Sequence, residues 1–418
     1  MTTLLYFEEY ESNLSRELLN RKDIMPIIIR TNKNMKFFNE SYLESTKSIL
    51  NYVVDYYNDI DNEVLKFKKW LEDNNIKIDY FFNDSEYYLE FSNKFARKLG
   101  LYALSDEQIR WVRDKVDMKK KFREIGLDTV DFREINSKDE LKNFFVDNGS
   151  KRIIFKPRRG MNSIETYMIN SLEDIDGLEI DIIPGKYMAE DFCYDREWSI
   201  ESLVQDGEVL DSYVTYIPNP TIWASISNDL NCHMTVPKIP SYFKFVPKEF
   251  IQQIVSGMNL KDGAMTIEVF ISNDGNIKAS ELGWRLPGCQ ATLNHSYSYG
   301  IDIYNLLLDI AIHKKVNLKY QDKIVSVGDL YLPNKEGIIE QITPLEELLK
   351  MDGAIGGELF AKIGEYQKKR RVGNDASGWV QVLGENEFDT LQKMQKIYDI
   401  FEIEVSNDMG GKKYVKKL

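Results

Sequence analysis

Two glutamates near the middle of the chain have the spacing needed to share a divalent cation. Glu268 and Glu281 flank the Asp-Gly dipeptide at 274–275, which favours a two-residue β-hairpin turn because glycine accepts a positive φ. Such a turn pairs Asn273 with Asn276 and places Glu268 directly opposite Glu281. Opposed carboxylates repel each other, and a hard cation between them removes the repulsion. The hairpin therefore predicts a metal site.

A positive charge lies on the same predicted face of this hairpin. Arg285 follows Glu281 by four residues, so both side chains project to one side of an extended strand. The other face carries Ile267, Val269 and Leu282 and can be buried. Carboxylates, a cation and a guanidinium together indicate metal-bound phosphate chemistry. Two solvated carboxylates on an exposed hairpin face are the alternative interpretation.

A lysine at the end of another predicted strand is a candidate phosphate ligand. Lys156 closes the strand at 152–157, and the following loop contains Arg158, Gly160 and Ser163. The ammonium supplies a point charge for phosphate, and the amides of the loop can close over the phosphate. Taken by itself, a strand-end lysine is more often simply solvated.

A short acidic segment is a candidate nucleotide contact. Glu190, Asp191 and Phe192 form an extended stretch that leads to Glu197. The peptide groups of such a stretch can bind a purine edge, and a following carboxylate can accept hydrogen bonds from ribose hydroxyls. Glu197 lies on the opposite strand face from Trp198, which suits a side chain that points into a cleft. An acidic surface turn is the alternative.

The first hundred or so residues alternate between strand and helix patterns. Strands are predicted at 4–7, 26–31 and 78–82, and helices at 42–57 and 63–72. This alternation indicates a parallel, doubly wound sheet. No glycine-rich turn follows these strands, so the dinucleotide-binding fingerprint is absent.

A capped helix should follow this first domain. Ser105 to Gln108 is a capping box, the apolar spacing continues to Phe122, and Gly126 is a C-terminal stop signal. This places Lys115 in the middle of the helix, where lysines are usually exposed. A second capping box begins at Ser137. Later elements are a strand at 188–192, a hairpin at 197–213 that turns at 206–207, and helices at 301–313, from 343 and at 387–401.

Composition excludes several classes of protein. The 418 residues are enough for two or three domains, and no apolar run is long enough to span a bilayer. The net charge of −13 argues against binding to nucleic acid. Three scattered cysteines and a start without a basic, apolar leader predict a cytoplasmic protein.

The order of the candidate residues resembles that of the ATP-grasp superfamily, and within it the carboxylate–amine ligases that include the L-amino-acid ligases. The likeness spans about residues 75–315 and is fainter over 325–418. It implies an α/β fold with a parallel-sheet domain, a lid subdomain, a catalytic core and a C-terminal lobe. The corresponding ranges are 1–104, 105–184, 185–320 and 321–418.

The resemblance also implies roles for the site residues. Lys115 and Lys156 would contact the ATP phosphates, with Arg158 and Ser163 of the lid loop beside them. Arg285 would steady an acyl phosphate and its tetrahedral adduct. The backbone of Glu190, Asp191 and Phe192 would hold adenine, Glu197 would bind ribose, and Glu268 and Glu281 would bind Mg²⁺, with Mn²⁺ as an alternative.

The implied reaction joins a small-molecule carboxylate to an amine with consumption of ATP. A nucleotide-binding regulator without turnover is a second hypothesis, and a carboxylase-type enzyme that activates bicarbonate is a third. A dimer is common among relatives of this kind. The basic run at 368–371 could dock an acidic acyl-carrier protein, with a solvated hairpin face as the alternative.

Two features depart from the family pattern. The family commonly has Asn two residues after the second metal glutamate, and Gly283 stands there in this chain. The lid loop has a single glycine, Gly160, between its arginines and Ser163. The segment between Lys115 and Ile183 is expected to be the mobile lid.

A few further side chains cannot be assigned from the pattern. His295 could contact an amino-acid substrate or be a buried helix-start histidine. The aromatic residues that could line a pocket, but are more often core, are Tyr213, Tyr216, Trp223 and Trp284.

Overall fold

The computed structural model describes residues 1–149, 151–161, 163–219, 229–288, 290–368 and 375–406. Its first domain is a four-stranded sheet in the order β3-β2-β1-β4, and every strand pair is parallel. The predicted doubly wound parallel sheet is thus confirmed in its strand direction. The strands are β1 (Thr2–Phe7), β2 (Ile24–Thr31), β3 (Leu50–Val54) and β4 (Tyr80–Asn83). The helices are α1 (Asn13–Asn20), α2 (Glu40–Ser45), α3 (Ile60–Asp73) and α4 (Leu89–Lys98).

The predicted helix at 42–57 is wrong. Helix α2 ends at Ser45, and Leu50–Val54 forms strand β3 at the edge of the sheet. This segment ends in Tyr-Val-Val, residue types that lose side-chain freedom in a helix and pack well on a pleated surface. Pairing with β2 therefore outweighs the helical spacing.

The predicted helix from Ser105 is two helices. The capping box at Ser105 is present, and α5 spans Asp106–Arg113. At Asp114 the backbone becomes extended, with φ −97° and ψ 109°, and the Asp114 carboxylate accepts hydrogen bonds from the first turn of α6 (Lys115–Glu124). Lys115 is consequently the first residue of a helix, not a mid-helix lysine.

The next unit is a small antiparallel sheet with its own apolar core, and we call it the lid sheet. Its strand order is β5-β8-β6-β7. The strands are β5 (Phe132–Ile135), β6 (Ile153–Pro157), β7 (Tyr167–Ile169) and β8 (Tyr187–Asp191). Helices α7 (Lys138–Asp147) and α8 (Leu172–Asp176) pack on it. The sheet reaches Asp191, beyond the predicted lid boundary at 184.

An eight-stranded antiparallel sheet, the central sheet, unites the predicted catalytic core with the C-terminal lobe. Its order is β13-β12-β9-β10-β11-β14-β18-β16, so strands from beyond residue 320 continue the core sheet. The strands are β9 (Arg196–Gln205), β10 (Glu208–Tyr216), β11 (Asn231–Thr235), β12 (Gly263–Ile271), β13 (Ile277–Gly283), β14 (Ser326–Tyr331), β16 (Ala354–Leu359) and β18 (Gly378–Gly384). The predicted boundary at 320–321 therefore divides residues that share one sheet.

The remaining elements cover this sheet. A three-stranded sheet has the order β17-β15-β19. Its strands are β15 (Gly337–Ile342), β17 (Tyr366–Gln367) and β19 (Ile403–Ser406). The helices are α9 (Pro247–Gly257), α10 (Ala291–Tyr299), α11 (Ile303–Ala311), α12 (Leu345–Leu348) and α13 (Glu387–Ile400). Over the described ranges, none of the helices has both the length and the apolar character that crossing a bilayer requires.

Candidate functional site

The hairpin formed by β12 and β13 carries the two predicted metal glutamates. Glu268 is paired with Glu281, as predicted. The predicted two-residue turn is wrong, because Ile271 pairs with Ile277 and the Ser272 amide donates to the Asn276 carbonyl over 3.0 Å. The loop is therefore one residue longer than expected.

A β-bulge compensates for the longer loop. Val269 is opposite Ala279, whereas Glu268 is opposite Glu281, so Ser280 is an extra residue in β13. A bulge shifts the register by one residue and re-aims the neighbouring side chains. The two departures from ideal pairing cancel, and the glutamates face each other in spite of both.

Gly275 in the loop has no room for a side chain. Its φ is +83°, and a Cβ atom there would lie 1.8 Å from the Tyr242 carbonyl oxygen. The glycine of the Asp-Gly dipeptide is thus required by a close backbone approach as well as by its φ angle.

Lysines from two elements converge on Glu281. Lys156 Nζ lies 2.6 Å from Glu281 Oε1 and 2.5 Å from Glu190 Oε1. Lys115 Nζ lies 3.2 Å from Glu281 Oε2 and donates to the Gly160 carbonyl over 3.1 Å. A series of alternating charges therefore connects helix α6, the lid sheet and the central sheet.

The two facing glutamates differ in protonation. Burial would raise the pKa of Glu281, but the ammonium groups of Lys115 and Lys156 hold it well below its usual range. Burial and repulsion from Glu197 and Glu281 raise the pKa of Glu268 to about 8. A divalent cation between the two carboxylates would remove this repulsion, so the donor set fits Mg²⁺.

Lys156 and Glu190 stabilise each other's charged forms. Burial would lower the pKa of Lys156, but the carboxylates of Glu190 and Glu281 raise it. Burial would raise the pKa of Glu190, but Lys119 and Lys156 lower it. The ammonium at 156 is therefore a permanent positive charge in the site.

A cleft of about 330 Å³ lies between the lid sheet and the central sheet, and most of the predicted site residues line it. Residues of the lid sheet, of the central sheet and of the loop after β6 form its walls. The predicted residues found there are Lys115, Lys156, Ser163, Glu190, Asp191, Phe192, Glu197, Glu268, Glu281 and Arg285.

Arg158 lies elsewhere, which corrects its predicted place beside a phosphate. Its Nε donates to Asp114 Oδ1 over 3.0 Å, and its Nη1 lies 2.8 Å from Glu134 Oε2. The Arg158 carbonyl accepts from the Lys115 amide over 2.9 Å. Arg158 thus ties the loop after β6 to the start of α6, because the capping aspartate attracts its guanidinium.

Arg285 reaches the cleft from the end of the hairpin and contacts the first domain. Its Nη2 lies 2.8 Å from Glu86 Oε2, and its Nη1 donates to the Leu286 carbonyl over 2.7 Å. Glu86 also pairs with Arg113. Sequence reasoning missed Glu86, although it follows the carboxyl end of β4, where open parallel sheets bind ligands.

Sequence reasoning also missed Lys119. Its side chain is 0% exposed, and Nζ lies 3.2 Å from Glu190 Oε2, 3.1 Å from Thr129 Oγ1 and 3.1 Å from the Ser280 carbonyl oxygen. Lys119 follows Lys115 by one helical turn and shares its face. Lys119 stands in a run of three lysines that includes the exposed Lys120, so the sequence pattern does not distinguish the fully buried one.

His295 is buried, as one of the two alternatives expects, but it lies in the middle of α10 and not at a helix start. Its Nε2 lies 2.8 Å from Glu201 Oε2 and 3.0 Å from Thr215 Oγ1. Glu201 and Thr215 line the cleft, and His295 supports them from behind. His233, which was not predicted, lines the cleft and lies 3.3 Å from Asp329.

The aromatic residues are core residues where they are described. Tyr213 and Trp284 are buried in two different apolar clusters. Tyr216 is partly buried and packs against the cluster of Trp284 and against a third cluster. Trp223 lies outside the described residues, as do positions 369–371 of the basic run and Cys289.

Comparisons with known proteins show which proteins this chain is similar to. No family model matches the chain. The L-arginine-specific L-amino acid ligase of Bacillus subtilis is 20% identical over 317 residues, which cover 74% of this chain and 76% of the relative. The crystal structure of an L-amino acid ligase from Bacillus licheniformis superposes with a TM-score of 0.74 at 17% identity, covering 97% of this chain and 99% of the other.

A third similar structure is the biotin carboxylase domain of the 2-oxoglutarate carboxylase of Hydrogenobacter thermophilus, in complex with MgADP, ADP and bicarbonate. It has a TM-score of 0.61 and 14% identity, and the match covers 96% of this chain and 90% of the domain. These matches confirm the predicted ATP-grasp fold and the resemblance to carboxylate–amine ligases.

Proposed function

We propose that this chain, an ATP-grasp protein similar to the carboxylate–amine ligases, is an enzyme that joins an amino-acid carboxylate to an amine and releases ADP and phosphate. The observation that carries the proposal is the linked set Lys115, Glu281, Lys156 and Glu190 opposite Glu268. Such a set neutralises a triphosphate and positions it, which are the main requirements of phosphoryl transfer.

The phosphates of ATP would bind the two cleft lysines. Lys115 and Lys156 are held within reach of each other by Glu281, and both line the cleft. A triphosphate would compete with Glu281 for these ammonium groups and free the carboxylate. Ser163 of the loop after β6 also lines the cleft and would contact a phosphate.

The metal would be held by Glu268 and Glu281. Burial and repulsion from Glu197 and Glu281 raise the pKa of Glu268 to about 8, and a bound cation would offset both effects. Bound Mg²⁺, or Mn²⁺ in its place, would neutralise the phosphate charge. Gly283 supplies no side-chain ligand, so water would complete the coordination.

The nucleoside would lie along β8. The peptide groups of Glu190, Asp191 and Phe192 would hold adenine, and Glu197 would accept from ribose hydroxyls. All four residues line the cleft. The Glu190 side chain has a further task, since it is the partner of Lys156.

The proposed reaction has two steps. The substrate carboxylate attacks the γ-phosphorus, the bond to the β,γ-bridging oxygen breaks, and ADP leaves. The amine then attacks the acyl carbon, phosphate leaves, and the amine loses a proton to give an amide. Arg285, held by Glu86, would stabilise the negative charge of the acyl phosphate and of its tetrahedral adduct.

The lid sheet would exclude water from the acyl phosphate. Its strands carry Lys156 and Glu190, while Glu281 belongs to the central sheet. Closure over bound ATP would therefore assemble the charged groups and limit hydrolysis.

The substrates would be small molecules. The similarity to L-amino-acid ligases makes a free amino acid the proposed carboxylate, and a second amino acid or another amine the acceptor. Homodimerisation is a further part of the proposal. Docking of an acyl-carrier protein would involve the basic run at 368–371, of which positions 369–371 lie outside the described residues.

A screen of amino-acid pairs tests the proposal. Each pair is incubated with ATP and Mg²⁺, phosphate release is measured, and any product is identified by mass. We expect amide formation with stoichiometric ADP. The Lys156→Met variant should lose turnover, whereas Lys120→Met, which removes an exposed lysine from α6, should retain it. Full activity of Lys156→Met would contradict the assignment.

A nucleotide-binding regulator without turnover is the second candidate, because Gly283 removes a customary metal ligand. ATP binding without ADP formation for every pair tested would favour it. Bicarbonate- and biotin-dependent ADP release would instead indicate the carboxylase-type reaction.

A further inference from the structure

Lys119 is a charged side chain that lies entirely inside the protein and does not line the cleft. It is 0% exposed, and its ammonium has one contact for each of its three protons. These partners are Glu190, Thr129 and the carbonyl of Ser280. A buried charge is costly unless it is paired and hydrogen-bonded, so a lysine at this position needs a reason beyond packing.

One contact of Lys119 acts on the phosphate lysine. Glu190 Oε2 forms an ion pair with Lys119 Nζ over 3.2 Å, and Glu190 Oε1 accepts a hydrogen bond from Lys156 Nζ over 2.5 Å. Lys119 therefore fixes the carboxylate that orients Lys156. A bound triphosphate would draw Lys156 away from Glu281. The Glu190 carboxylate, itself held by Lys119, would then still keep the Lys156 side chain in place.

A second contact acts on the metal glutamate. Ser280 is the extra residue of the bulge that brings Glu281 opposite Glu268. Among the strands that the structure describes, β13 is the edge of the central sheet, so a carbonyl on its outer side has no described strand beside it to pair with. Lys119 Nζ supplies the missing donor to Ser280 over 3.1 Å.

We infer that Lys119 is a positioning residue. Through the Ser280 carbonyl it holds the bulge that places Glu281 opposite Glu268, and through Glu190 it orients the Lys156 side chain. This inference rests on the proposed function, since it concerns the same site. Lys119 does not line the cleft in which phosphate and metal would bind. It connects helix α6 to the two sheets that hold the reacting groups.

The test measures metal binding directly. Mn²⁺ is titrated into the protein with a non-hydrolysable ATP analogue, and free Mn²⁺ is followed by its electron paramagnetic resonance signal. We expect Lys119→Met to weaken Mn²⁺ binding by about tenfold or more, the range typical of residues that orient metal ligands. Lys120→Met, a charge-matched change on the exposed side of α6, should bind as the wild type does.

A second comparison covers the case in which Lys119→Met does not fold because Glu190 is left buried without that partner. The double variant Lys119→Met/Glu190→Gln removes the uncompensated charge and is compared with Glu190→Gln. The Ser280 carbonyl still lacks its donor, so the double variant should bind Mn²⁺ more weakly than Glu190→Gln. Equal binding in this pair, or wild-type binding by a folded Lys119→Met, overturns the inference.

The titration also separates this inference from the proposed function. A wild-type protein that binds no Mn²⁺ with the nucleotide would refute the function itself. If the wild-type protein binds Mn²⁺ and the nucleotide analogue, and the variants bind Mn²⁺ equally well, only the role of Lys119 would be refuted.

Discussion

Strands β12 and β13 each contribute one glutamate to the same face of the hairpin, and the two side chains have opposite electrostatic surroundings. Glu281 is contacted by the ammonium groups of Lys115 and Lys156, which lower its pKa. Glu268 is its partner across the strands, and burial together with repulsion from Glu197 and Glu281 raises the pKa of Glu268 to about 8. One carboxylate is neutralised by the protein and the other is not.

This difference indicates that a positive charge beside Glu268 would have to come from a ligand. Lys115 and Lys156 form ion pairs with Glu281. Under the proposed function a triphosphate would compete for these lysines, and Glu268 and Glu281 would then be free to hold a cation. Metal and nucleotide should therefore bind cooperatively, each removing a repulsion that opposes the other.

The largest effect is expected when the neutralised glutamate is changed. Glu281→Gln removes a proposed metal ligand and a partner of both lysines, so kcat/KM should fall by about a thousandfold, corresponding to several kcal/mol of lost charge stabilisation. Steady-state ADP formation measures this loss. Asp274→Asn in the hairpin loop is the control, and a comparable loss there would point to a folding defect.

Glu268→Gln should separate activity from stability. The variant loses a metal ligand, and ADP formation should fall by about a hundredfold or more. It also removes a carboxylate that its neighbours repel, so the metal-free protein should gain on the order of 1 kcal/mol in the free energy of unfolding. Urea unfolding at pH 8 measures the gain. A loss of stability would contradict the electrostatic contrast between the two glutamates.

The pH dependence of stability should carry the signature of Glu268. The folded protein keeps the Glu268 proton up to about pH 8, whereas the unfolded chain releases it near the ordinary value of 4.5. The contribution of this group is thus fully present below pH 4.5 and is lost as pH rises towards 8. The stability advantage of Glu268→Gln over wild type should grow between pH 5 and pH 8 in chelator. A constant advantage would mean that Glu268 is not protonated in the folded protein.

The smallest effect is expected at Gly283. A Cβ atom there would meet Arg285 Cγ at 3.6 Å and Arg285 Nε at 3.7 Å, which are ordinary contacts. Gly283→Asn should therefore fold and add a metal-binding amide, lowering the Mg²⁺ concentration for half-maximal activity by a few-fold. Gly283→Ala supplies the matched control without a ligand. If Ala has the same effect as Asn, the change reflects backbone stiffening and not coordination.

The sequence predicted much of the site, and the hairpin shows why it could do so only in part. Two Asp-Gly dipeptides gave the same turn prediction. At Asp206-Gly207 both residues have positive φ, and Gln205 pairs with Glu208, so the two-residue turn is confirmed. At 274–275 the Tyr242 carbonyl approaches Gly275, and the loop is longer. A local signal cannot report a contact that arrives from a distant part of the chain.

The helix that carries the lysines gives the same lesson. The capping box and the apolar spacing predicted a helix from Ser105, and a helix begins there. The break at Asp114 depends on its carboxylate capping α6 and binding Arg158, a residue of the lid loop. Because of this ion pair between distant segments, Lys115 is the first residue of α6 and the Arg158 side chain lies outside the cleft.

The sequence by itself determined the strands and helices of strong periodicity, the order of the charged residues and the presence of the hairpin that carries two glutamates, because these depend on neighbours a few residues apart. Only the tertiary structure decided which lysine is buried, which carboxylate is neutralised and how the bulge at Ser280 corrects the register. Those outcomes depend on burial and on charges brought together from α6, the lid sheet and the central sheet. Desolvation and Coulomb energy act through space, so the linear order of residues does not contain them.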